Sequence, residues 1–415
     1  MQICIHRGSR QIGGSCVELK SFGKRLLIDL GLPLDAESND VKYLPGVTGL
    51  DGSDSTLLGI LISHPHLDHY GLLSHISRDI PIGMGPKARK ILEAAGPFMK
   101  GNNPEPAPGW DYESGKSFDI GPFSITPFLM DHSAYDAYAL LIDDGEKRVF
   151  YSGDLRGHGR KAPLFKYLTE GPPENIDTLL LEGSSLGRID EDQQFPSETD
   201  IENKMVDLFS ATKGMALVQA SGQNIDRIVS IFRASKRTGR NLIIDLYTAA
   251  ILEATGNQNI PQSYWDEVSL FVPQSQRVQV KKNEWFGLLG KHSKNRIFWK
   301  HLKGIASSST LLFRPLYMRD LEWGDCLADA VYVYSLWEGY WNEGSYDRVK
   351  KWLVKHNIPK YSLHTSGHAG PKELKKLVEA MNPGKVVPIH SFNPDQYQEL
   401  FSNVETHNDG EAWEV

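Results

Sequence analysis

Apolar positions in the first third of the chain fall in short runs separated by Gly-rich turns. CVELK (16–20) and RLLID (25–29) predict short strands, and LLGILIS (57–63), apolar almost throughout, predicts a strand buried on both faces. Leu72, Leu73 and Ile76 then recur at helical spacing, which puts the intervening HPHLDHYG on a strand-to-helix loop. FSITPFLM (123–130), YALLID (138–143) and KRVFYS (147–152) predict a second strand group. The last two read as a hairpin around Asp144-Gly145, and DTLLLEG (177–183) closes the block.

From about residue 196 the pattern changes. Pro196 and Ser197 lead into a helix with Ile201, Met205, Leu208 and Phe209 on one face, and Thr199 with Glu202 has capping-box spacing. ALVQA (216–220), a helix carrying Ile225, Ile228, Ile231 and Phe232, and NLIID (241–245) alternate as strand, helix and strand. That order predicts a small parallel α/β domain. Near 360 the chain reads HTSGHAGPKELKKLVEAMNPGKVVPIHSF. Pro371 suits a first helical turn, Leu374, Leu377, Val378 and Met381 give the buried face, and VVPIH is a strand ending at His390. The sequence shows no internal repeat or low-complexity tract.

The densest chemistry is His64-Pro65-His66-Leu67-Asp68-His69, four side chains with donor atoms for a cation, directly after a buried strand. His64 and His66 suit one ion, while Asp68 and His69 face another. Further ligands stand at strand ends: His132, Asp154 and His390. Asp154, a carboxylate able to bridge, is the natural shared ligand. Taken singly, His132 also reads as a hydrogen-bonded surface histidine and Asp154 as a turn residue.

HPHLDH, DHS (131–133) and SGDL (152–155), with Asp29 in LLIDLG, resemble the metallo-β-lactamase superfamily. The resemblance implies an α/β protein, an αββα sandwich with the metals at one edge of its two sheets. One ion would be held by His64, His66, His132 and Asp154, the second by Asp68, His69, Asp154 and His390, with Asp29 orienting the loop. Glu182 in LLLEGSS, His368 in HTSGHAG and His390 in VPIHSF resemble the motifs of the β-CASP branch, and ASGQNIDR (220–227) is similar to a segment of ribonuclease J. The implied layout is a metallo-β-lactamase domain over 1–190, an inserted α/β β-CASP domain over 191–355, and a return segment over 356–415. Ribonuclease J chains continue into a carboxy-terminal domain, whereas GEAWEV (410–415) reads as the last strand of the sandwich. The stretch 250–345 matches that family poorly.

The implied activity is hydrolysis of single-stranded RNA by two divalent ions, zinc first and manganese second. The site residues would be Asp68, Glu182, Asp29 and His368. His368 would assist the leaving oxygen, oriented by Glu182, or would be a structural histidine in a Gly-bounded turn. His364 and Ser366 would hold a substrate phosphate. His390 tilts the choice toward RNA over DNA. The competing readings are a DNA-acting β-CASP nuclease, a hydrolase of small esters, thioesters or lactones, and a non-catalytic RNA-binding subunit.

Charge and cysteine content narrow the setting. A net charge of -7 excludes a surface uniformly basic for nucleic acid, so a polyanion must meet a local patch or the metals. Between Ser275 and Lys303 lie Arg277, Lys281, Lys282, Lys291, Lys294, Arg296, Lys300 and Lys303 against only Glu284, with Trp285, Phe286, Phe298 and Trp299 interleaved. Two readings stand: a single-strand grip, or a solvated helix face over a buried aromatic stripe. Arg156 and Arg160 read either as cleft residues or as turn residues. Cys4, Cys16 and Cys326 form no Cys-x-x-Cys pair and read as buried thiols. No long apolar run or signal-peptide pattern appears, so the expectation is a cytoplasmic protein without membrane contact, with a homo-oligomer among its expected assemblies.

Overall fold

A computed structural model describes residues 1–99 and 106–415. In chain order the strands are β1 (Gln2–Arg7), β2 (Cys16–Ser21), β3 (Lys24–Ile28), β4 (Leu57–Leu61), β5 (Ile82–Gly83), β6 (Phe118–Ile120), β7 (Phe123–Met130), β8 (Ala137–Asp143), β9 (Arg148–Tyr151) and β10 (Thr178–Glu182). They continue as β11 (Ala216–Gln219), β12 (Asn241–Ile244), β13 (Val268–Phe271), β14 (Arg296–Ile297), β15 (Ser309–Leu312), β16 (Val331–Tyr334), β17 (Lys360–Ser362), β18 (Lys385–Ile389) and β19 (Ala412–Glu414). Two units emerge, Met1–Phe195 with Gly367–Val415, and Pro196–Ser366.

The first unit holds two six-stranded sheets, ordered β19-β1-β2-β3-β4-β5 and β18-β10-β9-β8-β7-β6. Alternation explains their inner faces: Ile3 and Ile5 of β1 and Val17 and Leu19 of β2 share one buried cluster with Ile125, Leu140, Val149 and Leu180 of the other sheet. The outer faces carry helices. Phe165 and Leu168 of the helix Ala162–Glu170, with Leu374 and Leu377 of the helix Pro371–Met381, pack on Leu141, Phe150 and Leu179. Tyr70, Leu72, Leu73 and Leu92 pack on Leu27 and Ile60 across the opposite face. This is an αββα sandwich. The apolar segment LLGIL is β4, covered on both sides as its lack of alternation implies.

The second unit is a single seven-stranded sheet, β14-β13-β12-β15-β11-β16-β17, parallel at every pairing. The helix Ile225–Arg237 buries Ile225, Ile228, Ile231 and Phe232 as its spacing predicts. Among the described residues, no helix is long and apolar enough to cross a membrane.

Two local expectations differ. The helix expected after the histidine motif is instead one turn inside it, Leu67–Tyr70, followed by a short 3-10 turn at Leu73–His75. The Leu72 N–H donates to Leu30 and the Leu30 N–H to His69, so the chain is tied to the end of β3 before a helix can propagate. The capping box is Ser197 with Asp200, two residues before the expected pair. The Ser197 side chain accepts from the Asp200 N–H, so Thr199 already lies in the first turn.

Candidate metal centre

Strand ends collect the site. Asp29 directly follows β3 with φ +59°, His390 directly follows β18 with φ +52°, and Gly153, at φ +52°, turns the chain between β9 and Asp154. Left-handed Asp and His residues are uncommon and are retained where the surroundings fix them. At Gly153 a side chain would in addition meet the Tyr138 carbonyl at 2.8 Å. β10 and β18 run parallel with Glu182 opposite Ile389, which brings Glu182 beside the turn that carries His390.

The structure brings together His64, His66, Asp68, His69, His132, Asp154 and His390, with His368 and Glu182 at their side. The groups His64–His66–His132, His64–His69–Asp154, Asp68–His69–His390 and His132–Asp154–His368 each present donor atoms within 4.8 Å of one another. The Nδ1 atom of His66 lies 3.2 Å from Nε2 of His64 and 3.2 Å from Nε2 of His132. Oδ2 of Asp154 lies 3.3 Å from Nε2 of His69 and 3.7 Å from that of His390, the latter also 3.7 Å from Asp68 Oδ2. Asp154 is therefore central to both halves. His368 Nδ1 faces Asp154 at 3.6 Å and Glu182 Oε1 at 3.4 Å.

The far nitrogens of the rings decide which lone pairs point inward. His69 Nδ1–H donates to Asp29 Oδ2 at 2.7 Å, and His132 Nδ1–H to the Gly367 carbonyl at 2.6 Å. His390 Nδ1 instead accepts from the Gly13 N–H at 3.3 Å and lies 2.9 Å from Ser15 Oγ. In His69 and His132, with Nδ1 serving as donor, Nε2 is left as an acceptor directed into the cluster, the arrangement a metal-binding histidine needs. Asp29 also accepts from the Ser63 N–H, the Ser63 hydroxyl and the Tyr151 hydroxyl, at 2.7, 2.8 and 2.7 Å. Ser63, Tyr151 and Ser15 thus position candidate ligands, and the Ser184 hydroxyl lies 3.0 Å from Glu182 and 3.2 Å from His368 beside them. Sequence reasoning missed these four, since lone Ser and Tyr residues carry no spacing signal.

Burial sets the charge states. His64 is pushed well below its ordinary value by burial and by neighbouring His69, His132 likewise by burial and by His66, and His66 is pushed down to about 4, chiefly by burial. His390 is lowered for the same reason. Burial would also lower His69, but the carboxylates of Asp154, Asp29 and Asp68 hold it well above its ordinary value. Burial would raise Asp154, yet His390, His69 and His368 around it keep it well below the usual carboxylate range. His368 rises to about 9 because Glu182 and Asp154 outweigh its burial.

The residues fit bound divalent cations. Nε2 of His69, Nε2 of His390 and both carboxylate oxygens of Asp154 are buried without a well-formed hydrogen bond. Buried polar atoms are rarely left so, and here they converge from separate chain segments. Imidazoles with carboxylates suit first-row divalent ions.

Of the other expected residues, His364 and Ser366 lie half-buried in the second unit, on the stretch after β17. Arg156 does not face a cleft: it is fully buried, with Nε 3.4 Å from Asp131 Oδ1.

Comparison with known proteins agrees with this geometry. A family model described as a β-lactamase superfamily domain matches residues 35–186, and one described as a Zn-dependent metallo-hydrolase RNA specificity domain matches residues 357–400. The chain is 22% identical to ribonuclease J of Sinorhizobium meliloti over 370 residues, which is 84% of this chain and 60% of that one. It is 27% identical over 252 residues to ribonuclease J of Synechocystis, covering 57% of this chain and 38% of the relative. It is 21% identical over 406 residues to ribonuclease J 2 of Streptococcus pyogenes, covering 95% and 69%. The chain thus spans between about two fifths and two thirds of these relatives' length. A crystal structure of a protein of unknown function from Enterococcus faecalis shares the fold, with a TM-score of 0.79, 20% identity and 99% of both chains covered.

The sandwich, the histidine-aspartate cluster and the segment 35–186 are similar to those of the metallo-β-lactamase superfamily. Within that superfamily the chain is similar to ribonuclease J, the name carried by these relatives.

Proposed function

We propose that the protein hydrolyses phosphodiester bonds of single-stranded RNA. One observation carries the reading: seven histidine and aspartate side chains meet, and His69, His390 and Asp154 among them hold buried, unsatisfied atoms at the cluster, in a chain that matches an RNA specificity domain over residues 357–400. His64, His66, His132 and Asp154 would hold one divalent ion, and Asp68, His69, Asp154 and His390 a second, zinc or manganese. Such ions, when bound, activate water and neutralise charge on a phosphoryl group.

The chain's own residues supply orientation and a proton. Asp29, Ser63 and Tyr151 fix His69, while Ser15 fixes His390. His66, Asp68 and His368 are the partly exposed members of the group, so they mark its open side, where a phosphate would enter. Glu182 and Ser184 hold His368 at Nδ1, and His368 Nε2 then donates to the departing oxygen. His364 and Ser366 are the proposed groups for a substrate phosphate.

The test is cleavage of end-labelled, 5′-monophosphorylated single-stranded RNA with zinc or manganese. Products are expected from the parent and none from His66→Ala or Asp68→Ala. The label separates trimming from an end from internal cutting. Equal activity in parent and variants, or no cleavage by the metal-loaded parent, rejects the reading. His368→Gln is expected to lower kcat about 10²-fold or more while leaving metal content intact.

A further inference from the structure

Resting on the ribonuclease reading, we propose that the second unit carries a separate docking platform for single-stranded RNA, built from Arg277, Arg296, Phe298, Trp299 and Lys300.

Its aromatic residues are not the buried stripe that the sequence equally allowed. Phe298 and Trp299 are 40% and 42% exposed, although each is large and apolar. They follow β14 on a surface turn, Trp299–His301, which packs against the helix Met318–Trp323. A side chain added at Gly324 would meet the Trp299 carbonyl at 3.1 Å, so the turn is seated directly on the end of that helix. Trp323, there, is 45% exposed with the Arg319 guanidinium 4.6 Å from its ring centre. Solvent-facing aromatics seated this firmly offer faces on which unpaired bases stack.

Of the charges beside them, Arg296 and Lys300 lack an ion-pair counterpart among the described residues. Lys291, Lys294 and Lys303 are neutralised by Glu253, Asp266 and Asp325, at 2.8, 3.3 and 2.6 Å. Arg296 has no such carboxylate among the described residues, and its guanidinium lies 4.8 Å from the centre of the Phe298 ring. Burial, and then the neighbouring Arg277, lower the Arg296 guanidinium from its ordinary value. Nε of both arginines is buried without a hydrogen bond. Arg277 has one acidic neighbour, Asp320 at 3.4 Å, and Lys300 is exposed with no ion pair among the described residues. Two adjacent guanidiniums with unmet donors, in a chain of net charge -7, form a local anion-seeking spot. A phosphate from a passing strand would relieve their repulsion while the flanking bases rest on Phe298 and Trp299. A protein partner with acidic groups would satisfy the arginines, but it would leave flat aromatic faces beside a guanidinium unexplained. Single-stranded RNA satisfies both.

Equilibrium binding separates this platform from the catalytic reading. Anisotropy of a labelled, cleavage-resistant phosphorothioate RNA of about 20 nucleotides would be measured on the metal-loaded protein. The variants are Phe298→Ala with Trp299→Ala, and Arg296→Gln with Lys300→Gln. The aromatic variant is expected to weaken binding about tenfold or more, with a much smaller effect on a trinucleotide. The charge variant is expected to weaken binding and to reduce the slope of log affinity against log salt by about 0.7 for each phosphate no longer neutralised. Melting curves check that both fold, and the charge variant decides alone should the aromatic one not. Parent-like affinity in a folded charge variant overturns the platform. So does an equal loss for fully duplex RNA, which has no free base faces. Cleavage failure in the parent is a separate result, since it removes the ribonuclease reading while these binding arms still decide the platform.

Discussion

Asp29 accepts from two hydroxyls, one backbone amide and one imidazole N–H, with no exposure to solvent. Its left-handed backbone carries a strain that those hydrogen bonds must offset. Asp29→Asn keeps the shape but replaces one acceptor oxygen by a donor, which then faces the hydroxyls of Ser63 and Tyr151. The His69 ring loses its carboxylate anchor, and metal affinity is expected to fall roughly 10- to 100-fold in a chelator competition. An affinity within twofold of the parent would show that the ring is held by packing alone. At this scale the cluster was legible in the sequence as a candidate site, because three histidines and an aspartate stand within one hexapeptide. Ser15, Ser63, Tyr151 and Ser184 were not, because each is a single residue of a common type with no spacing pattern to set it apart.

At the scale of elements, the histidine loop depends on a close crossing that only a glycine permits. A methyl group at Gly31 would overlap the Asp68 carbonyl, which itself accepts the Ser15 N–H at 3.1 Å. Gly31→Ala is expected to destabilise the protein by about 1–3 kcal/mol and to reduce bound metal, read by thermal melting and elemental analysis. A melting temperature and metal content equal to the parent's would mean that the crossing relaxes freely. The strands β2 to β4, β7 to β12, β18 and β19 and the parallel alternation that opens the second unit followed from apolar runs and spacing, whereas β1, β5, β6 and β13 to β17 did not. Helix starts followed only in part: Pro371 opens its helix as expected, whereas the start near Ser197 differs. Thr199 with Glu202 and Ser197 with Asp200 both have the three-residue offset of a capping box, and only the backbone angles of Ser197 select between them. Ser197→Ala is accordingly expected to cost about 1 kcal/mol in denaturant unfolding, and Thr199→Ala well under half of that. A reversed ranking would put the helix start two residues later. The single turn inside the histidine motif was illegible for a different reason, since its length is set by hydrogen bonds to Leu30 at the end of another strand.

At the scale of the whole molecule, the cluster draws on two stretches of chain that the second unit separates. His64 to Asp154 precede it and His390 follows it, so bound ions would cross-link the loops after β4, β7 and β9 to the end of β18. Without cations, the interior there holds Asp154 and Asp29 against several imidazoles, with donor atoms of His69, His390 and Asp154 unsatisfied. Ions at about 100 times their dissociation constant would stabilise the folded state by about 2.7 kcal/mol. The effect has an address: all seven candidate ligands belong to the first unit, whereas the parallel sheet β11 to β17 has its own core around Leu217, Ile243, Leu311 and Tyr332. Chelation is therefore expected to speed amide hydrogen exchange at residues 62–69, 130–134, 152–155 and 389–391, while strands β11, β12 and β15 keep their protection. Mass spectrometry of exchanged peptides, with and without chelator, reads both halves at once. Unchanged exchange around His64 to His69 would mean that no ion was bound there. Equal loosening of β11 and β12 would mean that the second unit's stability also depends on the metals.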